Sequence, residues 1–304
     1  MIFLSAQALP FPDILFPFFS AALYCISITL AKYATRAETF SGISMLVMNN
    51  ILSGLVFIPA IFFDSTMPDW SIVWQPLLAS GFCAIGNIAI FICAEKGEVS
   101  LMTPIMGIKI MFVIFFSRIL LNTSIPHSIT LAGIICCMAV FIMGWEKKTL
   151  HSSNKLVITI SLALCACISY ALCDVIMQKY APNFTRNAML SLTTVAMPLS
   201  IIPFLPRFFK DVVRSNKTTL AVGATSAIIM VFEMYLMFLS IVGEVGAALC
   251  NILYNTRGII SVIVIFIVGK FIKEMKEVSK TSALQRIIGA SMILGAVVIV
   301  LYYK

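Results

Sequence analysis

Acidic residues are scarce in this chain. Thirteen aspartates and glutamates stand against 21 lysines and arginines in 304 residues, and charged residues of both signs make up 11%, where a soluble domain carries about 25%. So little charge, beside 61% hydrophobic residues and a mean hydropathy of +1.04, excludes a water-soluble globule and implies an integral membrane protein. Histidine is nearly absent: His127 and His151 fall near loop or helix ends, and two separated histidines do not supply the ligand set of a metal site. The nine cysteines fall inside apolar runs, and none has zinc-like spacing with histidine, so they read as small packing residues rather than disulfide partners. No HExxH, GxSxG or GxxxxGK[ST] pattern occurs, which leaves an intramembrane enzyme or a nucleotide-driven pump without support. The opening MIFLSAQALPFPDILF lacks Lys and Arg, unlike the basic start of a signal peptide, and is expected to be mature sequence.

What the chain has in abundance is apolar runs of roughly 17–25 residues, the length that crosses a bilayer. They fall at about 13–31, 41–63, 72–94, 99–121, 126–145, 156–178, 187–206, 218–241, 245–269 and 283–303. The expectation is an all-α polytopic membrane protein with ten transmembrane helices and no soluble domain of useful size. The basic residues sort by side rather than clustering in a nucleic-acid patch. Loops after the odd-numbered spans hold fifteen of them, including Lys32, Lys96, Lys147, Arg207, Lys210, Arg214 and Lys270, and the opposite loops and C-terminus hold four, Arg118, Lys179, Arg186 and Lys304. Positive-inside counting then places both termini outside the cytoplasm. Trp70, Trp74 and Trp145 fall at predicted span ends, where interfacial rings belong.

The chain is doubled. GEV at 97–99 recurs at 243–245, AKYA at 31–34 returns as QKYA at 178–181, and IP at 58–59 as IP at 202–203. The near-constant offset divides the chain into 1–148 and 149–304. Five spans in each half place the second copy upside down, and inverted repeats are a signature of secondary transporters with a site near the midplane. These features, with AEKGEVSLMTPIMGIK at 94–109 (holding Pro104) and SIVGEVGAALCNILYN at 240–255, resemble the drug/metabolite transporter superfamily, in particular its ten-helix EamA-type members. The resemblance covers nearly the whole chain. It implies two inverted five-helix repeats, transport without a cofactor, and both termini in the cytoplasm, against the charge count. Where EamA members carry glutamate after spans 4 and 9, this chain has Asn122 and Lys270, a departure that weakens the transfer of substrate class.

A charged side chain within the bilayer costs roughly 2.5–3.5 kcal/mol on insertion scales, so it faces a partner or a wet cavity. Lys109 in span 4, Glu233 in span 8 and Arg257 in span 9 are expected mid-helix, with Asp174 nearer the end of span 6. Repeat alignment lays Lys109 over Asn255, Asn87 over Glu233 and Ser27 over Asp174. In span 9, Cys250, Tyr254, Arg257 and Ser261 follow i, i+4, i+7, i+11, with Asn251 and Asn255 alongside, so one face is polar; Tyr24 with Ser27 gives span 1 a milder version. Two readings stay open. In one, Lys109 or Arg257 forms structural ion pairs with Glu233 or Asp174. In the other, Arg257, Lys109, Tyr254, Asn251, Asn255, Asn87 and Tyr24 bind a solute, while Glu233 or Asp174 carries a coupling proton.

The leading expectation is therefore an inner-membrane carrier of a small anionic or zwitterionic metabolite: an amino acid derivative, a nucleotide-like molecule, or a phosphorylated or carboxylated solute. Basic residues on the ninth helix of phosphate- and nucleotide-sugar-carrying relatives imply the same preference. Hydrophobic-cation efflux and a non-transporting receptor or assembly subunit are the alternatives. Expected partners are the solute, membrane lipids and a proton, with no nucleic acid. Gly133, Cys137, Gly289 and Gly295 permit close helix approach, either within one chain or across a homodimer seam.

Overall fold

The computed structural model describes residues 11–35, 39–63, 68–96, 105–144, 153–243, 245–260 and 280–302, with positions 102 and 263. The junction at 148/149 and Pro104, Trp145, Ser261 and Lys270, with GEV 97–99 and the glutamate of the second GEV, lie outside the described residues. The main helices are α1 (Phe11–Thr35), α2 (Gly42–Phe57), α3 (Trp74–Lys96), α4 (Lys109–Leu120), α5 (His127–Gly144), α6 (Ser153–Tyr180), α7 (Arg186–Thr194), α8 (Lys217–Val242), α9 (Ala247–Tyr254) and α10 (Lys280–Tyr302). No strand occurs among the described residues. Six helical stretches are long and apolar enough to cross a membrane: Asp13–Thr35, Gly42–Phe63, Trp70–Cys93, Leu156–Asn183, Arg186–Arg214 and Lys217–Val242. The protein is thus a multi-pass integral membrane protein.

Helix starts follow ordinary capping chemistry. Ser41 Oγ accepts from Ser44 N at 3.3 Å before α2, Thr185 Oγ1 from Ala188 N at 3.2 Å before α7, and Asn216 Oδ1 from Thr219 N at 2.7 Å before α8, each satisfying a backbone donor that the first turn leaves over. On the exposed turn ahead of α3, the Ser71 N–H holds the Asp69 carboxyl below the usual carboxylate range. Trp70 and Trp74 stand exposed beside it, as rings at a membrane boundary do.

Packing is by long pairs. α1 runs along α8, α3 along α6 and α5 along α10, while α4 leans on α6 and α9 reaches α1, α4 and α8. Hydroxyl bonds stitch α1 to α8: Ser27 donates to Ser226 O at 2.9 Å and Ser226 returns to Ser27 O at 2.8 Å. All nine cysteines are free, and seven are buried; with no hydrocarbon-water contrast to drive helices together in lipid, such small residues let backbones approach.

Among the described residues, three predicted spans are interrupted. The run at 99–121 is not one continuous helix. Gly107 and Ile108 form a turn, Ile108 N bonding Ile105 O at 3.0 Å, and α4 begins at Lys109. The run at 245–269 turns at Asn255 and Thr256, where Thr256 N and Oγ1 both bond Leu253 O, at 3.1 and 2.7 Å, and Gly258 N bonds Asn255 O at 2.9 Å. These i→i−3 bonds tighten the backbone into a 3₁₀-like turn, and the threonine hydroxyl competes for a helix carbonyl. Lys109 and Arg257 are therefore not mid-helix residues but the first helical residues after each turn. The span at 187–206 is broken into α7, a five-residue helix Ala196–Ser200 and a 3₁₀ turn Ile202–Phe204, and what was expected as a loop at 207–214 is helix Leu205–Arg214. Pro198, Pro203 and Pro206 account for the breaks, each lacking a backbone N–H.

The small residues of α5 and α10 separate by role. A Cβ on Gly289 would meet Met143 Cγ and stand 2.8 Å from the Ala139 carbonyl oxygen, and one on Gly133 would stand 2.5 Å from Ile114 Cδ1, whereas Gly295 has nothing within 4 Å. Overpacking costs about 1–3 kcal/mol. Gly289→Leu is accordingly expected to lower the thermal midpoint of purified protein by several degrees while Gly295→Leu leaves it near wild type; equal midpoints would refute the intrachain role of this seam.

Candidate functional site

The site assembles where α6 faces α3, α4 and α9. On α6, Tyr170, Asp174 and Gln178 repeat at i, i+4 and i+8 and share a face. Each meets a different element. Tyr170 Oη donates to Asn87 Oδ1 of α3 at 2.8 Å. Asp174 Oδ2 receives Lys109 Nζ of α4 at 2.7 Å and Asn251 Nδ2 of α9 at 2.8 Å. Gln178 Oε1 accepts the N–H of Ala247, the first residue of α9, at 2.9 Å, and Gly246 before it has φ +75°, with any added Cβ 2.7 Å from Gln178 Nε2. Only glycine accepts that conformation without strain, so the start of α9 and the α6 stripe are fitted to one another. Asn251 also donates to Ala247 O at 2.8 Å, which fixes its amide toward Asp174.

The aspartate is the better covered half of the pair. Lys109 keeps 17% of its side-chain surface and Asp174 6%, so the cation is the member that stays reachable. Its ammonium also stands 5.6 Å from the Tyr170 ring centroid, inside cation–π range. Tyr170 fits there because Gly86 on α3 is bare: a Cβ would come 2.9 Å from the ring.

A second cation repeats this arrangement across the bundle. Arg257 Cζ is 5.1 Å from the Tyr24 ring centroid of α1 and 4.7 Å from that of Tyr254, and the two rings meet edge to face at 6.0 Å. Cys25 Sγ donates to the Arg257 carbonyl at 3.3 Å. Close by, Glu233 of α8 is buried, takes Ser20 Oγ at 3.1 Å and lies within the fields of Arg257 and Lys109, with the Tyr254 hydroxyl among its hydrogen-bonding neighbours. Tyr24 and Tyr170 stand 146 positions apart, Asn87 and Glu233 also 146, and Lys109 and Arg257 148. Each of the two cations stands just after a helix interruption and covers a tyrosine on a long helix, Lys109 over Tyr170 of α6 and Arg257 over Tyr24 of α1.

The structure thus brings Lys109, Asp174, Asn251, Tyr170 and Asn87 into one cluster and Arg257, Tyr24, Tyr254 and Glu233 into another, joined through α9, which carries both Asn251 and Tyr254. Asn255 is buried and turns toward Cys136 of α5 instead. Ser20, Gly86 and Gly246 are participants that sequence reading passed over; the signal for Ser20 is its i, i+4, i+7 register with Tyr24 and Ser27. An open cleft of about 520 Å³ lies elsewhere, at the turn between α4 and α5, lined by Arg118, Asn122, Thr123, Ser124 and His127. It shares no residue with the charged cluster, whose burial and pairing mark it as the more specific chemistry.

No family model and no curated protein matches the sequence. Solved structures do match it, 28 chains in all. One, described only as the crystal structure of a protein, aligns over 95% of this chain and 96% of its own with TM-score 0.70 and 12% identity. At that identity the likeness is one of fold alone, and it spans nearly the whole length of both chains.

Removing one partner from a buried ion pair strands the other charge, at about 3–5 kcal/mol, whereas replacing both by apolar residues of similar volume is often neutral or stabilising. Asp174→Ala should therefore lower unfolding stability in detergent by about that amount, and Lys109→Met combined with Asp174→Leu should restore most of it. A single variant within about 1 kcal/mol of wild type would contradict the paired geometry.

Proposed function

We propose that the chain is a secondary transporter of the drug/metabolite transporter type, carrying a small anionic or zwitterionic metabolite across the inner membrane by alternating access. The observation that carries this reading is that two helices are interrupted by short turns, one at Gly107 and Ile108 and one at Asn255 and Thr256, and each resumes with a cation, Lys109 or Arg257. Discontinuous helices near the interface of inverted repeats are where secondary transporters build their sites, with irregular backbone tolerated because it is enclosed by protein or lines a cavity. The packing supports the repeat. Under an exchange of halves α1 maps to α6 and α3 to α8, and the observed neighbours α1 with α8 and α3 with α6 map onto each other.

The chemistry supports the solute class. An incoming carboxylate or phosphate meets the Arg257 guanidinium, already oriented by two tyrosine rings, and competes with Asp174 for the Lys109 ammonium. A planar guanidinium binds such oxygens in two parallel hydrogen bonds. An anion that displaces Asp174 from Lys109 leaves a buried carboxylate without its countercharge, and Glu233, buried beside Arg257, faces the same exchange; these two carboxylates are the proposed carriers of a coupling proton. Binding, charge compensation and helix rearrangement are then one event. Hydrophobic cations fit less well, because two fixed positive charges already occupy the cluster.

Purified protein in vesicles should show saturable uptake of a carboxylated or phosphorylated solute, reduced at least roughly tenfold by Arg257→Ala or Lys109→Ala, the scale of one lost charge-assisted contact, and unchanged by Lys32→Ala on the exposed end of α1. Thermal-shift screening should return hits bearing a carboxylate or phosphate, because ligand binding to the native state raises apparent stability. Hits confined to lipophilic cations would overturn the solute class, and absence of flux for every stabilising solute would favour a non-transporting receptor.

A further inference from the structure

The helix Leu205–Arg214, LPRFFKDVVR, has three distinct faces. Leu205, Phe208 and Val212 turn inward and pack against the apolar clusters around Leu46, Val47, Phe40 and Met45. Phe209 and Val213, four positions apart, are 60% and 86% exposed. Lys210 and Arg214, the next residue after each, are exposed as well. The one acid, Asp211, turns away from this outer surface: its Oδ2 accepts Ser41 Oγ at 2.8 Å, Ser44 Oγ at 2.7 Å and Ser41 N at 3.2 Å at the start of α2. What the helix shows outward is therefore apolar and positive, with its negative charge consumed internally.

Its place in the fold explains the pattern. Arg186–Arg214 is an apolar stretch of 29 residues, longer than the roughly 20 that cross the hydrocarbon core, which leaves its last ten residues for the headgroup layer. They emerge at the basic end of the bundle, where Ser215 Oγ donates to Thr39 O at 3.3 Å and Lys32 and Lys217 stand exposed. We infer that helix Leu205–Arg214 lies in the membrane-water boundary and binds acidic phospholipid headgroups through Lys210 and Arg214, with Phe209 and Val213 set into the acyl boundary. An exposed apolar side chain followed directly by an exposed cation, twice, one helical turn apart, is the arrangement that buries a stem in lipid and lifts its charge to phosphate depth. A docked acidic protein explains the cations but leaves Phe209 and Val213 facing water at its rim. Because Asp211 holds the first turn of α2 from the same helix, headgroup binding also fixes α2 at that end. The inference needs only membrane insertion, not a transported solute.

The test uses the full chain in detergent, titrated with phosphatidylglycerol or phosphatidylcholine and read by thermal unfolding. Wild type should be stabilised at lower phosphatidylglycerol than phosphatidylcholine concentration. Lys210→Gln combined with Arg214→Gln should cut that preference roughly thirtyfold, the effect of two basic side chains at an anionic surface, and Lys179→Gln on the other side should leave it intact. An unchanged preference in the double variant, or an equal loss in Lys179→Gln, would overturn the site. A second readout keeps both cations: in a Trp70→Phe, Trp74→Phe, Trp145→Phe background, the indole of Phe209→Trp should be quenched by acyl-brominated lipids in mixed vesicles. Quenching by aqueous iodide with none by the brominated lipids would show a water-facing surface and refute the inference.

Discussion

A lysine and an aspartate 2.7 Å apart inside an apolar bundle constrain everything near them. Neither charge tolerates lipid, and neither tolerates loss of the other. Four helices supply what the pair requires: α6 the carboxylate and the Tyr170 ring, α4 the ammonium, α9 the Asn251 amide on the remaining acceptor capacity, and α3 the bare Gly86 that admits Tyr170 and the Asn87 oxygen that holds its hydroxyl. The turn at Gly107 and Ile108 belongs to the same arrangement, since it sets Lys109 at the start of a helix segment. Gln178, one turn beyond Asp174, holds the other end by capping α9.

The second cation is arranged by aromatic surface rather than by one short ion pair. Two tyrosine rings lie within cation–π range of the Arg257 guanidinium. Glu233 lies near enough to balance it without being locked to it, its carboxylate held by Ser20 on α1. The site is therefore lopsided in strength: a tight pair on the α4 side and a looser, oriented cation on the α9 side. On the proposed reading that asymmetry gives the two ends different tasks, Arg257 receiving the solute and Lys109 exchanging one anion for another. On the same reading, a tight pair beside a looser cation is what a two-state carrier needs, because each state then favours a different pairing.

Much of this was legible in the residues. Hydropathy located the six helical stretches long and apolar enough to cross a membrane, since an apolar run of bilayer length has few other fates. The four charges stood out against so apolar a background, and the pairing of Lys109 with Asp174 was one of the combinations their positions allowed. Hydropathy is blind, however, to a two-residue turn. Gly107 and Ile108, or Asn255 and Thr256, change the backbone path without changing mean hydropathy, so spans 4 and 9 read as continuous. Helix Leu205–Arg214 was hidden for a related reason: its basic residues mimic a loop, and only the register of Phe208 and Val212 against Lys210 and Arg214 betrays a helix with faces. Asn255, aligned with Lys109, was placed with the charges but turns toward α5, because the tightened turn rotates it out of the face that carries Asn251 and Tyr254.

On the proposed transporter reading, water and solute reach the charged cluster from inside the bundle. The most direct test is chemical access in a background with the native cysteines removed. Asn87→Cys and Tyr24→Cys should react with a small, membrane-impermeant thiol reagent, and a stabilising solute should slow that reaction, while Ile85→Cys, on an exposed apolar position of α3, should not react in the bilayer. Silence at Asn87→Cys and Tyr24→Cys in a folded protein would mean a dry ion-pair cluster and contradict the account.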